Sequence, residues 1–201
     1  MILFSIRIIF MARCFVYFLK GIDAATASSL LMGVHQLMTE KSAATAASSK
    51  PSWDDMTIVM SSGGGDVIPA FGLYNEFMGL TVKLATHNAG AIDSAAILPF
   101  IAGKKRTASA ASAFFFHQLQ WTFPSKDQLT MGTISDSSTW LSRYEGLMAE
   151  AVASRTKLDK NKVLSLMRAG TSVDAAQAKE FGIIDGIEEL SSSQTLRSYI
   201  A

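Results

Sequence analysis

Apolar positions along this chain fall into two alternating periods, and the alternation predicts its architecture. The run CFVYFLKGID is aromatic and β-branched before it turns at Gly21, so a strand is expected around Phe15 to Leu19. The next apolar residues, Leu30, Leu31, Val34, Leu37 and Met38, recur at spacings of three and four. That period makes AATASSLLMGVHQLMTE a helix, with His35 on its surface or at the edge of the core. KSAATAASSKPSW has low complexity and closes with Pro51, which reads as a loop or a frayed helix end. MTIVM is a short buried strand, and VIPAFGLYNEFMG is a helix with Pro69 in its first turn, where proline is tolerated. LTVKLATHN is the next strand, AIDSAAILPFIAG a helix ending at Gly103, and KRTAS and AFFFHQ two extended pieces. A long amphipathic helix is expected from Ile134 to Thr156, carrying Trp140, Leu141, Tyr144 and Met148 on one side. DKNKVLSLMRAG and DAAQAKEFG read as two shorter helices, and IIDGI as a final strand.

Strands alternating with helices require crossover connections, so the expected fold class is α/β: a mostly parallel sheet core with a helical C-terminal section. A chain of 201 residues fits one domain. The expected organisation is an extension over 1–13, a domain over 14–190 and a tail over 191–201. The first twenty residues, MILFSIRIIFMARCFVYFLK, are apolar enough to raise a signal peptide or membrane anchor. Arg7 and Arg13 interrupt the run, and an arginine near the centre of a spanning helix costs about 2.5–3.5 kcal/mol. A soluble strand preceded by a short extension is the reading preferred, with Met11 an alternative start and no membrane partner expected.

Composition narrows the function classes. Hydrophobic residues make up 49% and charged residues 17%, the balance of a folded, somewhat apolar globular chain. Eighteen basic against seventeen acidic side chains leave a net charge of +1 and no basic stripe for nucleic acid. A single cysteine, Cys14, forms no internal disulfide and offers no metal constellation. A reducing, cytoplasmic setting with no metal and no cofactor is therefore expected.

Three weak signals carry the candidate chemistry. SSGGGD, Ser61 to Asp66, lies between a strand and a helix. Its glycines let the backbone approach a ligand and turn amides toward it, or they simply make a tight turn. The spacing matches neither a phosphate-binding P-loop nor a dinucleotide fingerprint. Ser94 sits at or near the first turn of a predicted helix, where free amides and the helix dipole favour negative charge. It is either a nucleophile helped by the amide of Ala95 or a capping and packing residue. A serine nucleophile needs a base. Of His35, His87 and His117, the last ends an apolar strand and delivers one polar group to the sheet edge. A structural histidine is the other reading of that position.

Taken in order, these signals resemble the proteolytic subunit of the Clp protease and its relatives in the ClpP/crotonase fold. Ser62-Gly63-Gly64-Gly65 is similar to that family's Ser-Pro-Gly-Gly turn, and GAIDSAAILPFIAG to its serine block from Gly90 to Gly103. FFFHQ resembles its His-Gln strand end, and AQAKEFGIIDGI its terminal element, so the likeness covers roughly Phe15 to Ile187. The resemblance implies repeated β-β-α units, Ser94 as nucleophile, His117 as general base, and the amides of Gly64 and Ala95 as oxyanion hole. It also implies a peptide or small acyl substrate, a homo-oligomer and an unfoldase partner. Leu119 to Met131 falls where the family joins two rings, making Trp121, Phe123 and Pro124 an interface or a flap.

Departures qualify the likeness. Gly170 stands where the family has its third catalytic residue, an acid. Asp174 lies four residues on and looks like a helix N-cap, though it is the nearest substitute in sequence. Gly63 replaces the turn's proline, and Asp93 stands where the family carries a small residue. Two alternatives remain open beside a Ser-His hydrolase: a weakened, Clp-like oligomeric interaction subunit, and a crotonase-type acyl-CoA enzyme.

Overall fold

A computed structural model describes residues 13–47, 53, 55–123, 129–190 and 195–200. The spine of its sheet is β2 (Asp55–Ser62), whose residues Met56 to Met60 are all buried. Such a continuous apolar run belongs to a strand covered on both faces, as parallel strands are. β2 pairs in parallel with β1 (Arg13–Phe18) on one side and with β3 (Leu84–Asp93) on the other. Helices α1 (Ala24–Ala46) and α2 (Val67–Gly79) make the crossovers, burying Leu30, Val34 and Leu37 from one and Ala70, Leu73 and Phe77 from the other. α1 therefore continues six residues past the expected boundary at Glu40. Pro51 lies outside the described residues.

β3 is the element that positions the site, because its two halves pair with different strands. Ala85–Asn88 pair with β4 (Lys105–Ala108), and Ala91–Asp93 pair with β5 (Ala113–Phe116). Asn88 holds the changeover: its carbonyl accepts from Ser109 N at 3.0 Å, and its side-chain amide donates to Ala113 O at 2.8 Å. Pairing with β5 extends β3 to Asp93, so the helix expected from Ala91 is corrected. One 3₁₀ turn, Ser94–Ala96, intervenes before α3 (Ile97–Ile101), all five of whose residues are buried. Strand pairing outweighs the helical preference of the small residues there.

The C-terminal section is less helical than its composition suggests. α4 (Met131–Ala153) and α5 (Lys160–Ala169) match the expected helices, and α6 (Ala175–Glu180) is short. Between the last two, β6 (Thr171–Asp174) pairs antiparallel with β5. β7 (Gly186–Ile187) joins β4 in parallel, leaving Ile183 and Ile184 buried in the turn before it. The stretch expected as a tail contains β8 (Thr195–Ile200), parallel to β1. The sheet order is β6-β5-β3-β2-β1-β8, with β4 and β7 alongside β3. Among the described residues, no helix is long and apolar enough to cross a membrane.

The glycine turn after β2 is tied to the loop after β1. Ile22 N donates to Gly64 O at 2.7 Å and Asp66 N to Ile22 O at 2.8 Å. Gly65 has φ +137°, and a Cβ there would fall on the Ile22 carbonyl. Gly65→Ala is therefore expected to destabilise the protein by about 2–4 kcal/mol, combining backbone strain with a clash against immovable backbone. Thermal unfolding checks this; a melting temperature equal to wild type would show the turn to be slack.

Candidate active site

Ser94 takes φ +54°, and among the described residues it alone combines a side chain with a positive φ. A non-glycine residue in that region carries strain, which the surrounding strand and turn must hold. The conformation comes where β3 stops and the chain reverses into the 3₁₀ turn. Ser94 is only 6% exposed, and Ala95 and Ala96 behind it are fully buried. Their small size lets the reversal sit against the glycine turn. At Gly64, φ is +88°, and an added Cβ would lie 2.7 Å from Asp93 O and 2.8 Å from Ser94 Cβ. It would also lie 3.3 Å from Ala95 N, so glycine is required for two turns to meet at the serine. The Gly64 N–H donates to Ser62 Oγ at 3.3 Å, a long and weak bond.

His117 follows β5 directly and lines the same cavity of about 490 Å³ as Ser94, together with Gly63, Gly65, Asp66, Leu119 and Trp140. Ser94 Oγ and His117 make no direct hydrogen bond in this structure. His117 Nδ1 lies 2.7 Å from the carbonyl of Gln118. A carbonyl only accepts, so Nδ1 carries the proton and the Nε2 lone pair is available. The imidazole is also tilted against the Phe115 ring, with centroids 5.3 Å apart.

The acids divide by position. Gly170 ends α5 in the left-handed region, φ +62°, and a Cβ there would meet Phe115 Cζ at 4.0 Å. Thus Phe115 touches both His117 and position 170, where the resemblance implies an acid. Asp174 accepts from Gln177 N at 2.8 Å in a reciprocal capping box. Its strand partner is Ala113, four residues from His117 along β5, or about 13 Å at strand rise. Asp174 is a helix cap. Asp93 pairs with Phe115 across the strands, and burial pushes its carboxyl up. His117 and the Phe115 backbone N–H oppose that rise, which ties Asp93 electrostatically to the imidazole.

The other histidines are structural or superficial. His87 is fully buried, with Nδ1 2.8 Å from Thr107 Oγ1 and Nε2 3.2 Å from Ser109 Oγ, and burial lowers its pKa. His35 is exposed on α1, 3.6 Å from Glu76. Trp121 packs edge-on against Trp140 at 5.0 Å, and Trp140 lies 4.3 Å from Tyr144. Pro124 lies outside the described residues. Cys14 is buried and in no disulfide, and among the described residues no cluster of three or more metal-binding side chains forms. Among the cavity residues to which sequence reasoning gave no site role are Asp66 and Trp140. Asp66 had a visible signal, since it follows the glycines directly and precedes a helix.

The family model described as Clp protease matches residues 16–191.

Proposed function

Because the chain belongs to the Clp protease family, we propose that it hydrolyses peptide or related acyl bonds with Ser94 as nucleophile and His117 as base. The observation that carries this reading is a strained serine wedged against a glycine turn, facing a histidine across one cavity. His117 Nε2 accepts the Ser94 hydroxyl proton as Oγ attacks the acyl carbon. The Nδ1–H bond to Gln118 O fixes the tautomer that this step needs. The imidazole and the serine close to hydrogen-bond distance when substrate binds, as catalytic contacts do.

Negative charge then develops on the acyl oxygen. The amides of Ala95 and Gly64 receive it, the second exchanging its long bond to Ser62 Oγ for the oxyanion. Each such donor contributes about 2.7–4 kcal/mol in the transition state. His117 returns the proton to the leaving amine, leaving an acyl-serine. Water then attacks that ester, giving its proton to Nε2, and Ser94 leaves as a hydroxyl.

The family relationship also supports a homo-oligomer served by an unfoldase partner. Leu129, Met131 and Ile134, exposed together at the start of α4, favour an interface there. A single, buried cysteine in no disulfide goes with a reducing, cytoplasmic setting. One observation favours a second reading, a weakened interaction subunit: glycine stands at 170, where the resemblance implies an acid, with Phe115 Cζ 4.0 Å from where its Cβ would be.

An alkyl fluorophosphonate separates the two readings. Mass spectrometry of the labelled, folded protein is expected to find the phosphonyl group on Ser94. An unlabelled serine beside a fully labelled control hydrolase would favour the interaction subunit.

A further inference from the structure

Among the described residues four α-helices begin at an aspartate, and one of these four behaves differently. Asp23, Asp159 and Asp174 each accept a hydrogen bond from the backbone N–H three residues on, at 2.7, 2.8 and 2.8 Å. Asp66 occupies the same position before α2 and makes no such bond. Its backbone N–H is held by Ile22 O, and its carboxylate is exposed, with no ion-pair partner among the described residues. That carboxylate lines the cavity shared by Ser94 and His117. Among the described residues it is the only carboxylate in the lining, which holds no lysine or arginine.

Trp140 lines the same cavity. Its indole is held in place by Trp121 and Tyr144, so it presents a fixed aromatic surface. A carboxylate and an indole share one ligand preference, a cation: the first by charge, the second through its ring quadrupole. Val67, Ile68, Pro69 and Leu119 add an apolar surround suited to the methylene stem of a long cationic side chain.

Building on Ser94 as the nucleophile, we infer that this cavity selects substrates with a positive charge on the residue whose carbonyl is attacked. The charge is an ammonium or guanidinium, from a lysine or arginine side chain or from a free amino terminus.

Three diphenyl aminoalkylphosphonate probes test this on the full chain: an N-acetylated lysine analogue, an N-acetylated norleucine analogue and a norleucine analogue with a free amine. With each, Ser94 Oγ attacks phosphorus, an O–P bond forms, phenoxide leaves, and the hydroxyl proton passes through His117 to solvent. The expected result is that the lysine probe or the free-amine probe labels Ser94 about fivefold faster, or more, than acetyl-norleucine. Whichever of the two is faster identifies the source of the charge. The ratio is expected to fall toward one in Asp66→Asn, to fall partway in Trp140→Leu, and to shrink with added salt. Ratios, not absolute rates, are read, so a general loss of reactivity cancels. Equal rates for all three probes in the wild-type protein would overturn the inference. So would a cation preference that survives Asp66→Asn while the melting temperature falls, since Asp66 would then serve only the α2 dipole. Labelling by the simple fluorophosphonate without any cation preference removes this inference and leaves the nucleophile standing. Failure of the fluorophosphonate as well removes both.

Discussion

Ser94→Ala is expected to lower peptide hydrolysis by about a hundredfold, a smaller loss than nucleophile removal causes in a complete triad. In a complete serine protease, losing the nucleophile costs about 2 × 10⁶ in kcat, and losing the acid alone about 3 × 10⁴. A site that already lacks the acid has only the remaining factor left to lose. The residue at 170 is glycine, and the imidazole is oriented by the Gln118 carbonyl at 2.7 Å instead of a carboxylate. What survives the mutation is the part supplied by binding and the oxyanion donors, which act without a covalent step. Alanine at 94 keeps the backbone turn, although φ +54° suits it no better than serine. Steady-state kinetics on one fluorogenic peptide check the ratio, with thermal unfolding as a folding control. An unchanged rate would assign the hydrolysis to another group.

Most of the fold was legible because its elements are strongly periodic. VIPAFGLYNEFMG is helical over the whole expected span, with Val67, Ala70, Leu73 and Phe77 on its buried face. The aromatic strand at the N-terminal end pairs from Arg13 to Phe18. What stayed hidden depends on distant partners. Ala91–Asp93 look helical in isolation and become strand only because Ala113–Phe115 lie beside them. Thr171–Asp174 are too few to show a period, and they extend only along the edge that β5 provides. Of the candidate site, the serine, the histidine and the glycine turn stand out as residue types in order. The left-handed backbone of Ser94 and the Gln118 carbonyl were not, since both are set by strand ends meeting. Asp66 and Trp140 share a cavity although they are far apart in the chain, a proximity that one sequence does not encode in any spacing.

Gly170→Asp is expected to raise kcat by about ten- to a hundredfold, part of the roughly ten-thousandfold that an orienting acid supplies in a complete triad. The backbone there has φ +62° and ψ +61°, a region that aspartate and asparagine tolerate better than other side chains. A new Cβ meets only Phe115 Cζ, at 4.0 Å, which is ordinary contact. The carboxylate then competes with Gln118 O for the Nδ1 proton of His117. Charge-assisted hydrogen bonds are about twice as strong as neutral ones, so the carboxylate wins if Phe115 turns aside. It also stabilises the imidazolium formed during attack, which a carbonyl dipole does less well. The gain falls on kcat with KM nearly constant, because the interaction strengthens only as charge develops. Gly170→Asn is the control: it carries the same backbone penalty and no charge, and it is expected to leave kcat at or below wild type. Equal rates for the aspartate and asparagine variants, both folded, would mean that Phe115 screens position 170 from the imidazole. The Gln118 carbonyl would then be the orienting group this site has settled on.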